Sequence, residues 1–186
     1  MQKDWVARLK EWGVLREGHF LLTSGRHSPG FLLFAPAFSQ PAAAEELGQA
    51  LAAVFKGKGI ETVVGPAMGG VILAHEVARA LGVRSIYSEK DGDAMALRRG
   101  FSLRPGERVL VVEDAVSTGG SVQKVLDICE KAQADVVGVG VIADRTAGKV
   151  KLGVPLQALL ELEVPSYTAD DCPLCRAGEE LTRPKA

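Results

Sequence analysis

The segment VLVVEDAVSTGGS is the stretch of this chain best equipped for chemistry. An apolar run leads straight into two carboxylates, Glu113 and Asp114, and a short turn of small and hydroxyl residues then opens a helix. Across that turn, Ala115, Val116, Ser117, Thr118, Gly119 and Gly120 can aim successive backbone N–H groups at one anion, with the glycines permitting close approach. Ser117, Thr118 and Ser121 add hydroxyl donors, and the helix adds its positive N-terminal end. Such a cradle suits a phosphate monoester. The two carboxylates would repel that phosphate if they faced it, so they point to different partners. Vicinal ribose hydroxyls fit, because ionised carboxylates accept hydrogen bonds from O–H groups. A Mg2+ ion carried by the substrate also fits, with Asp114 as candidate protein ligand. A phosphate beside a diol and a divalent cation is a ribose 5-phosphate.

Regular elements must position these groups. ETVVG, RVLVV and VVGVGVI are short Val-rich strands without alternation, RSIYS is another short strand, and VPLQALLELEV supplies a fifth. Helical patterns follow the first, third and earlier segments: VILAHEVARALG, SVQKVLDICEKA, and a helix from Pro41 capped by Ser39. Strands of this kind, alternating with helices, predict an α/β fold with a mostly parallel five-stranded central sheet flanked by helices. In such a sheet, ligands bind beyond the carboxyl ends of the strands. Three loops of unusual composition leave those ends: residues 65–70, 89–106 and 113–121. Ahead of the sheet, Asp4 caps a short helix through Trp12, and HFLLTSGRHSPGFLLF reads as a hairpin.

The chain has 186 residues, a size for one α/β domain with a small appendage. Its 22 basic and 23 acidic residues leave a net charge of -1, without the basic excess that nucleic acid or an anionic membrane would demand. No apolar run reaches membrane-spanning length, the first residues do not form a signal peptide, and three cysteines make no disulfide framework, so a cytoplasmic setting is expected.

VLVVEDAVSTGGS resembles the motif with which type I phosphoribosyltransferases bind phosphoribosyl pyrophosphate (PRPP). The resemblance implies that Glu113 and Asp114 hold the ribose hydroxyls and that residues 115–121 hold the 5-phosphate. The rival reading, a P-loop NTPase, needs G-x-x-x-x-G-K-[ST], which the chain lacks. Beyond the motif, GHFLLTSGRHSPGFL resembles the opening hairpin of orotate phosphoribosyltransferases, GPAMGGVILA their pyrophosphate loop, and VIADRT the strand end whose arginine meets the orotate carboxylate. The likeness covers nearly the whole chain. It implies a type I phosphoribosyltransferase fold with a core over residues 41–164 and a hood from residues 1–40 plus the tail 165–186. It implies Ala67, Met68, Gly69 and Gly70 as the pyrophosphate loop, and Arg145, Thr23, Phe31 and Thr118 around orotate. Arg145 has the rigid fork that a carboxylate matches bidentately. Lys90 and Arg99 are the expected PRPP contacts of the 89–106 loop, Lys90 and Asp114 the expected catalytic pair. A homodimer with shared sites is implied too. Thr23 stands where many relatives have lysine, and Met68-Gly69 where many have Tyr-Lys, which marks a divergent branch.

Two other functions compete: transfer to a different base, and a PRPP-sensing regulator of the same fold. The hairpin and Arg145 argue against the first, and the near-neutral charge against a nucleic-acid-binding form of the second. The remaining chemistry-bearing residues are expected to be inert. His19, His27 and His75 share no ligand spacing, Cys129 lies on an apolar helix face, and Cys172 and Cys175 form a turn, since zinc would need a second ligand pair.

Overall fold

The computed structural model describes residues 4–22 and 24–184. They form two compact units. One contains residues up to Ala37 together with those from Glu163 onward, and the other spans Phe38–Leu162.

The larger unit is an α/β sheet built as the Val-rich segments demand. Its strands are β3 (Thr62–Pro66), β4 (Arg84–Asp91), β5 (Ala94–Leu97), β6 (Arg108–Val116), β7 (Asp135–Asp144) and β8 (Leu156–Glu161), in the spatial order β5-β4-β3-β6-β7-β8. β4, β3, β6, β7 and β8 are parallel, and β5 adds an antiparallel edge. The helices are α3 (Pro41–Phe55), α4 (Gly69–Leu81) and α5 (Gly120–Lys131); the short α2 (Ala35–Phe38) precedes them. Burial on both faces explains the uninterrupted apolar runs. Val109 and Val111 pack with Val122, Val125 and Cys129 of α5, so Cys129 is a core residue as its helical position predicts. The alternate residues Leu110 and Val112 are equally buried and fall outside that cluster, as the two-residue period of a strand requires.

Two expectations need correction here. Gln40, not Ser39, is the N-cap of α3, and its side chain makes no cap bond; Pro41 at the first helical position supplies the start signal instead. Residues 89–106 are not one irregular loop. β4 runs on through Asp91, Gly92 (φ 59°) and Asp93 make the turn, and β5 returns antiparallel.

The smaller unit starts with α1 (Trp5–Glu11), whose N-cap Asp4 accepts a hydrogen bond from the Ala7 amide at 3.0 Å. β1 (Leu15–Leu21) and β2 (His27–Leu32) form the predicted hairpin, and β9 (Leu181–Thr182) adds to β1 in parallel after the short helix α6 (Pro173–Arg176). Arg26 braces the hairpin to the C-terminal segment through Ser166, with Nε 2.8 Å from the hydroxyl and Nη2 2.5 Å from the carbonyl. The turn at the tail is not isolated from the histidines as its spacing suggests. His19 and His27 are buried on neighbouring strands, and folding brings both to Cys172 and Cys175; only His75 is exposed. The two histidines, whose spacing in the sequence gives no sign of it, reach the cysteines from the other end of the chain.

Candidate active site

β3 and β6 are neighbours, while β4 lies on the outer side of β3. The chain leaves β3 in one direction and β6 in the other, which opens a crevice at their carboxyl ends. Both chemistry-bearing turns flank that crevice. Gly69, at the start of α4, lies so close to the acidic pair that a Cβ there would sit 2.7 Å from Asp114 Oδ2 and 3.3 Å from Glu113 Oε1. With glycine at this position the two loops approach closely, and a larger residue would require the Asp114 side chain to shift. Residues 67–70 make few commitments of their own: the Ala67 amide bonds the Ser88 carbonyl at 2.8 Å, the Ala67–Met68 peptide is cis, and Met68 is 86% exposed. The N-terminus of α4 carries no side-chain cap bond, so its backbone amides remain available beside the acidic pair.

On the β6 side, Glu113 and residues 115–122 line a concavity of about 60 Å3. That is room for a few waters or one small oxyanion, since a single water needs only about 10–15 Å3 of such space. Gly119 is the N-cap of α5 with φ 78° and no side-chain cap bond, and a Cβ on it would strike Val150 Cγ1 at 2.7 Å. Glycine is therefore needed for conformation and for space. Ser117, Thr118, Gly120 and Ser121 are exposed along the rim. A larger cavity of about 560 Å3, near Phe55 and Lys58, holds no acidic pair, so size does not identify the site.

The electrostatics of the acidic pair are distinctive. Glu113 is 8% exposed; burial, reinforced by the charge of Asp114, pushes its carboxyl up to about 8. Burial raises Asp114 as well, although its carboxylate accepts the Ala115 amide at 2.6 Å. Neither carboxylate has a cationic side-chain partner among the described residues. Two desolvated acids without a cation form a site that gains from a diol, a metal ion, or both.

Arg145 follows β7 directly, and its amide bonds the Val116 carbonyl at 2.8 Å, which places it beside the end of β6. Its Nε is buried without a hydrogen-bond partner, and burial lowers the guanidinium's affinity for its proton. Asp144, the obvious structural partner, instead accepts the Thr146 amide at 2.7 Å. A buried guanidinium nitrogen without an acceptor is costly unless a ligand uses the group.

The phosphoribosyl transferase domain family matches residues 38–152 of this chain. An orotate phosphoribosyltransferase of Pelotomaculum thermopropionicum is 50% identical over 179 residues, covering 96% of this chain and 94% of its own. One from Caldanaerobacter subterraneus is 46% identical, covering 99% and 97%. The crystal structure of the Aeropyrum pernix orotate phosphoribosyltransferase superposes with a TM-score of 0.70 at 25% identity, over 84% of this chain and 92% of that one. This chain belongs to the orotate phosphoribosyltransferase family.

The expected site residues of this family member are distributed over both units. Glu113, Asp114, residues 115–121, Ala67, Met68, Gly69, Gly70 and Arg145 gather at the carboxyl edge of the sheet. Lys90 stands exposed on β4, paired in register with Met95, with no ion pair among the described residues. Arg99 differs: its Nε and Nη2 both hold Glu89, at 2.9 Å each, and Arg98 holds Asp91 at 2.7 Å. The two arginines brace their own hairpin. Phe31 lies in the other unit, on β2, its ring 6.0 Å from that of Phe20. Thr23 lies outside the described residues.

Proposed function

We propose that this chain transfers the phosphoribosyl group of PRPP to orotate, giving orotidine 5'-monophosphate and pyrophosphate, a step of pyrimidine nucleotide synthesis in the cytoplasm. One observation carries the choice of acceptor: Arg145, directly after β7, has a buried, unpartnered Nε beside the phosphate cradle. Orotate differs from uracil by a carboxylate, the group a guanidinium fork binds best. A regulator that merely sensed PRPP would have no use for that fork.

The reaction is a displacement at the anomeric carbon, with a transition state of oxocarbenium character. Residues 115–121 and the N-terminus of α5 anchor the 5-phosphate, so the sugar cannot slide. Glu113 and Asp114 orient the ribose hydroxyls. The residues present fit Mg2+, because a cation beside them restores the charged state that burial disfavours. Bound with the substrate, the ion supplies charge neutralisation at the leaving pyrophosphate. The chain's own share of that task belongs to residues 67–70, whose backbone sits at the α4 N-terminus. Lys90 is the free cation of the β4–β5 hairpin and reaches the pyrophosphate as that hairpin closes, in a homodimer across to the neighbouring subunit's site. Closure excludes water, which would otherwise hydrolyse PRPP.

The test follows orotate absorbance with PRPP and Mg2+, with uracil, adenine and xanthine as competing acceptors. Turnover of orotate alone is expected. Equal use of uracil would remove the role of Arg145, and no turnover with any base would leave PRPP binding as the surviving function.

A further inference from the structure

The strongest unassigned feature lies in the smaller unit. We propose that His19, His27, Cys172 and Cys175 hold a structural zinc ion that ties the β1–β2 hairpin to the C-terminal segment. Their four ligand atoms lie within 4.8 Å of one another. Cys172 Sγ is 3.5 Å from His19 Nε2, Cys175 Sγ is 3.7 Å from the same nitrogen and 3.2 Å from His27 Nδ1, and the two nitrogens are 2.9 Å apart. In tetrahedral zinc, bonds of about 2.0–2.1 Å to nitrogen and about 2.3 Å to sulfur imply ligand-to-ligand edges of roughly 3.3–3.8 Å. The cluster is already near that size and needs only slight expansion.

The hydrogen-bond arithmetic supports an ion over a network. His19 Nδ1 is 2.9 Å from the Glu179 carbonyl oxygen, which can only accept, so Nδ1 carries the proton. Nε2 is then a lone pair aimed into the cluster, the orientation that a metal-binding histidine adopts when a carbonyl fixes its other nitrogen. His27 Nδ1 and both sulfurs lie within 3.7 Å of that nitrogen, and the two imidazole nitrogens are only 2.9 Å apart. A divalent ion uses all four. Two thiolates and two neutral imidazoles fill a tetrahedron completely, which marks a structural site, and leave no open position for catalysis. Both cysteines are free, Cys172 is 0% exposed, and Cys175 comes one turn later from the helix α6.

The location also explains the need. This unit joins the chain's two ends, and β9 pairs with β1 at only two positions, His19↔Leu181 and Phe20↔Thr182. A unit of about 60 residues is marginal without a staple.

The test uses the full-length protein, expressed with zinc and purified under reducing conditions. Elemental analysis should find one zinc per chain, retained during dialysis against excess Mg2+. Cys175→Ser, at the exposed ligand, should bring that value close to zero and lower Tm, whereas His75→Gln should keep the metal. Exchanging zinc for Co2+ in the unmodified protein should produce the visible spectrum of a tetrahedral thiolate site, a readout that does not depend on any variant folding. Metal-free protein that takes up no Co2+, a Cys172–Cys175 disulfide found by mass spectrometry, or undiminished zinc in Cys175→Ser would each overturn the proposal.

Discussion

Two buried glutamates bracket strand β6 and behave in opposite ways. Glu107, immediately before the strand, is 3% exposed, and Glu113, near its carboxyl end, is 8% exposed. Burial pushes both carboxyls up. At Glu107 the push is outweighed: Thr62 donates at 2.5 Å, the Arg104 amide at 2.8 Å and Arg84 at 2.8 Å, which together hold the group down at about 2. At Glu113 the neighbour is Asp114, and the group rises to about 8. Both side chains are screened from solvent, but Glu113 lies deeper and faces another acid, whereas Glu107 has three donors. One end of the strand satisfies its charge internally and holds the sheet together. The other has no cationic partner, and burial beside Asp114 holds its proton on, the kind of perturbation that clusters at functional sites.

The largest effect should come from the unsatisfied end. Asp114→Asn keeps shape and removes charge, and should lower kcat/KM for PRPP by roughly 10²–10³-fold, the scale for one electrostatic contact to a transition state. Tm should hold or rise, as a desolvated charge has gone. Activity within twofold of the unmodified protein would break the contrast. Arg145 and Arg84 repeat the comparison with cations. Arg145→Ala should raise the orotate KM about 30-fold or more, corresponding to at least about 2 kcal/mol for a buried partner of a carboxylate. Arg84→Ala should leave that KM unchanged and lower Tm. If both variants move both quantities together, the division between site and scaffold fails.

A smaller loss is expected on the β4–β5 hairpin, where Lys90→Ala should lower kcat about tenfold with little change in KM. Arg99→Ala should act chiefly on hairpin stability, because Arg99 is already spent on Glu89. Equal kcat losses would show that Arg99 leaves Glu89 during turnover.

The two glutamates themselves give the smallest and most diagnostic changes. Glu107→Gln should cost about 1–3 kcal/mol at neutral pH, read from denaturant unfolding, with kcat intact. The stabilisation from Glu107 is present above the ordinary carboxyl value of 4.5 and is lost as pH falls toward about 2. Glu113 has the opposite sign. Its raised value means the unliganded protein loses stability as pH rises from 4.5 to about 8, with no further loss above. The Tm of Glu113→Gln should therefore gain on the parent across that interval and then run parallel. A constant difference at all pH values would show that Glu113 is not held protonated.

Much of the active site was legible because it is local. In VLVVEDAVSTGGS one short segment carries the strand, the acids, the turn and the helix start, so residue order alone specified the cradle. The parallel sheet was legible for a similar reason: strands buried on both faces must be apolar throughout. The β4–β5 hairpin was less so, since polar residues around Gly92 fit an irregular loop as readily as an edge hairpin.

What folding alone decided concerns groups far apart in the chain. Nothing in PAMGG announces that Gly69 will press on Asp114, and nothing near Arg145 announces an unpartnered buried nitrogen. Glu107 and Glu113 are the same residue type on one strand, yet their proton affinities diverge because neighbours from other strands and loops differ. His19 and Cys172, 153 residues apart, meet only when the chain's ends come together. The sequence determined which chemistry each segment carries, through local pattern. The tertiary structure decided desolvation and long-range pairing, because both depend on what else occupies the surrounding space.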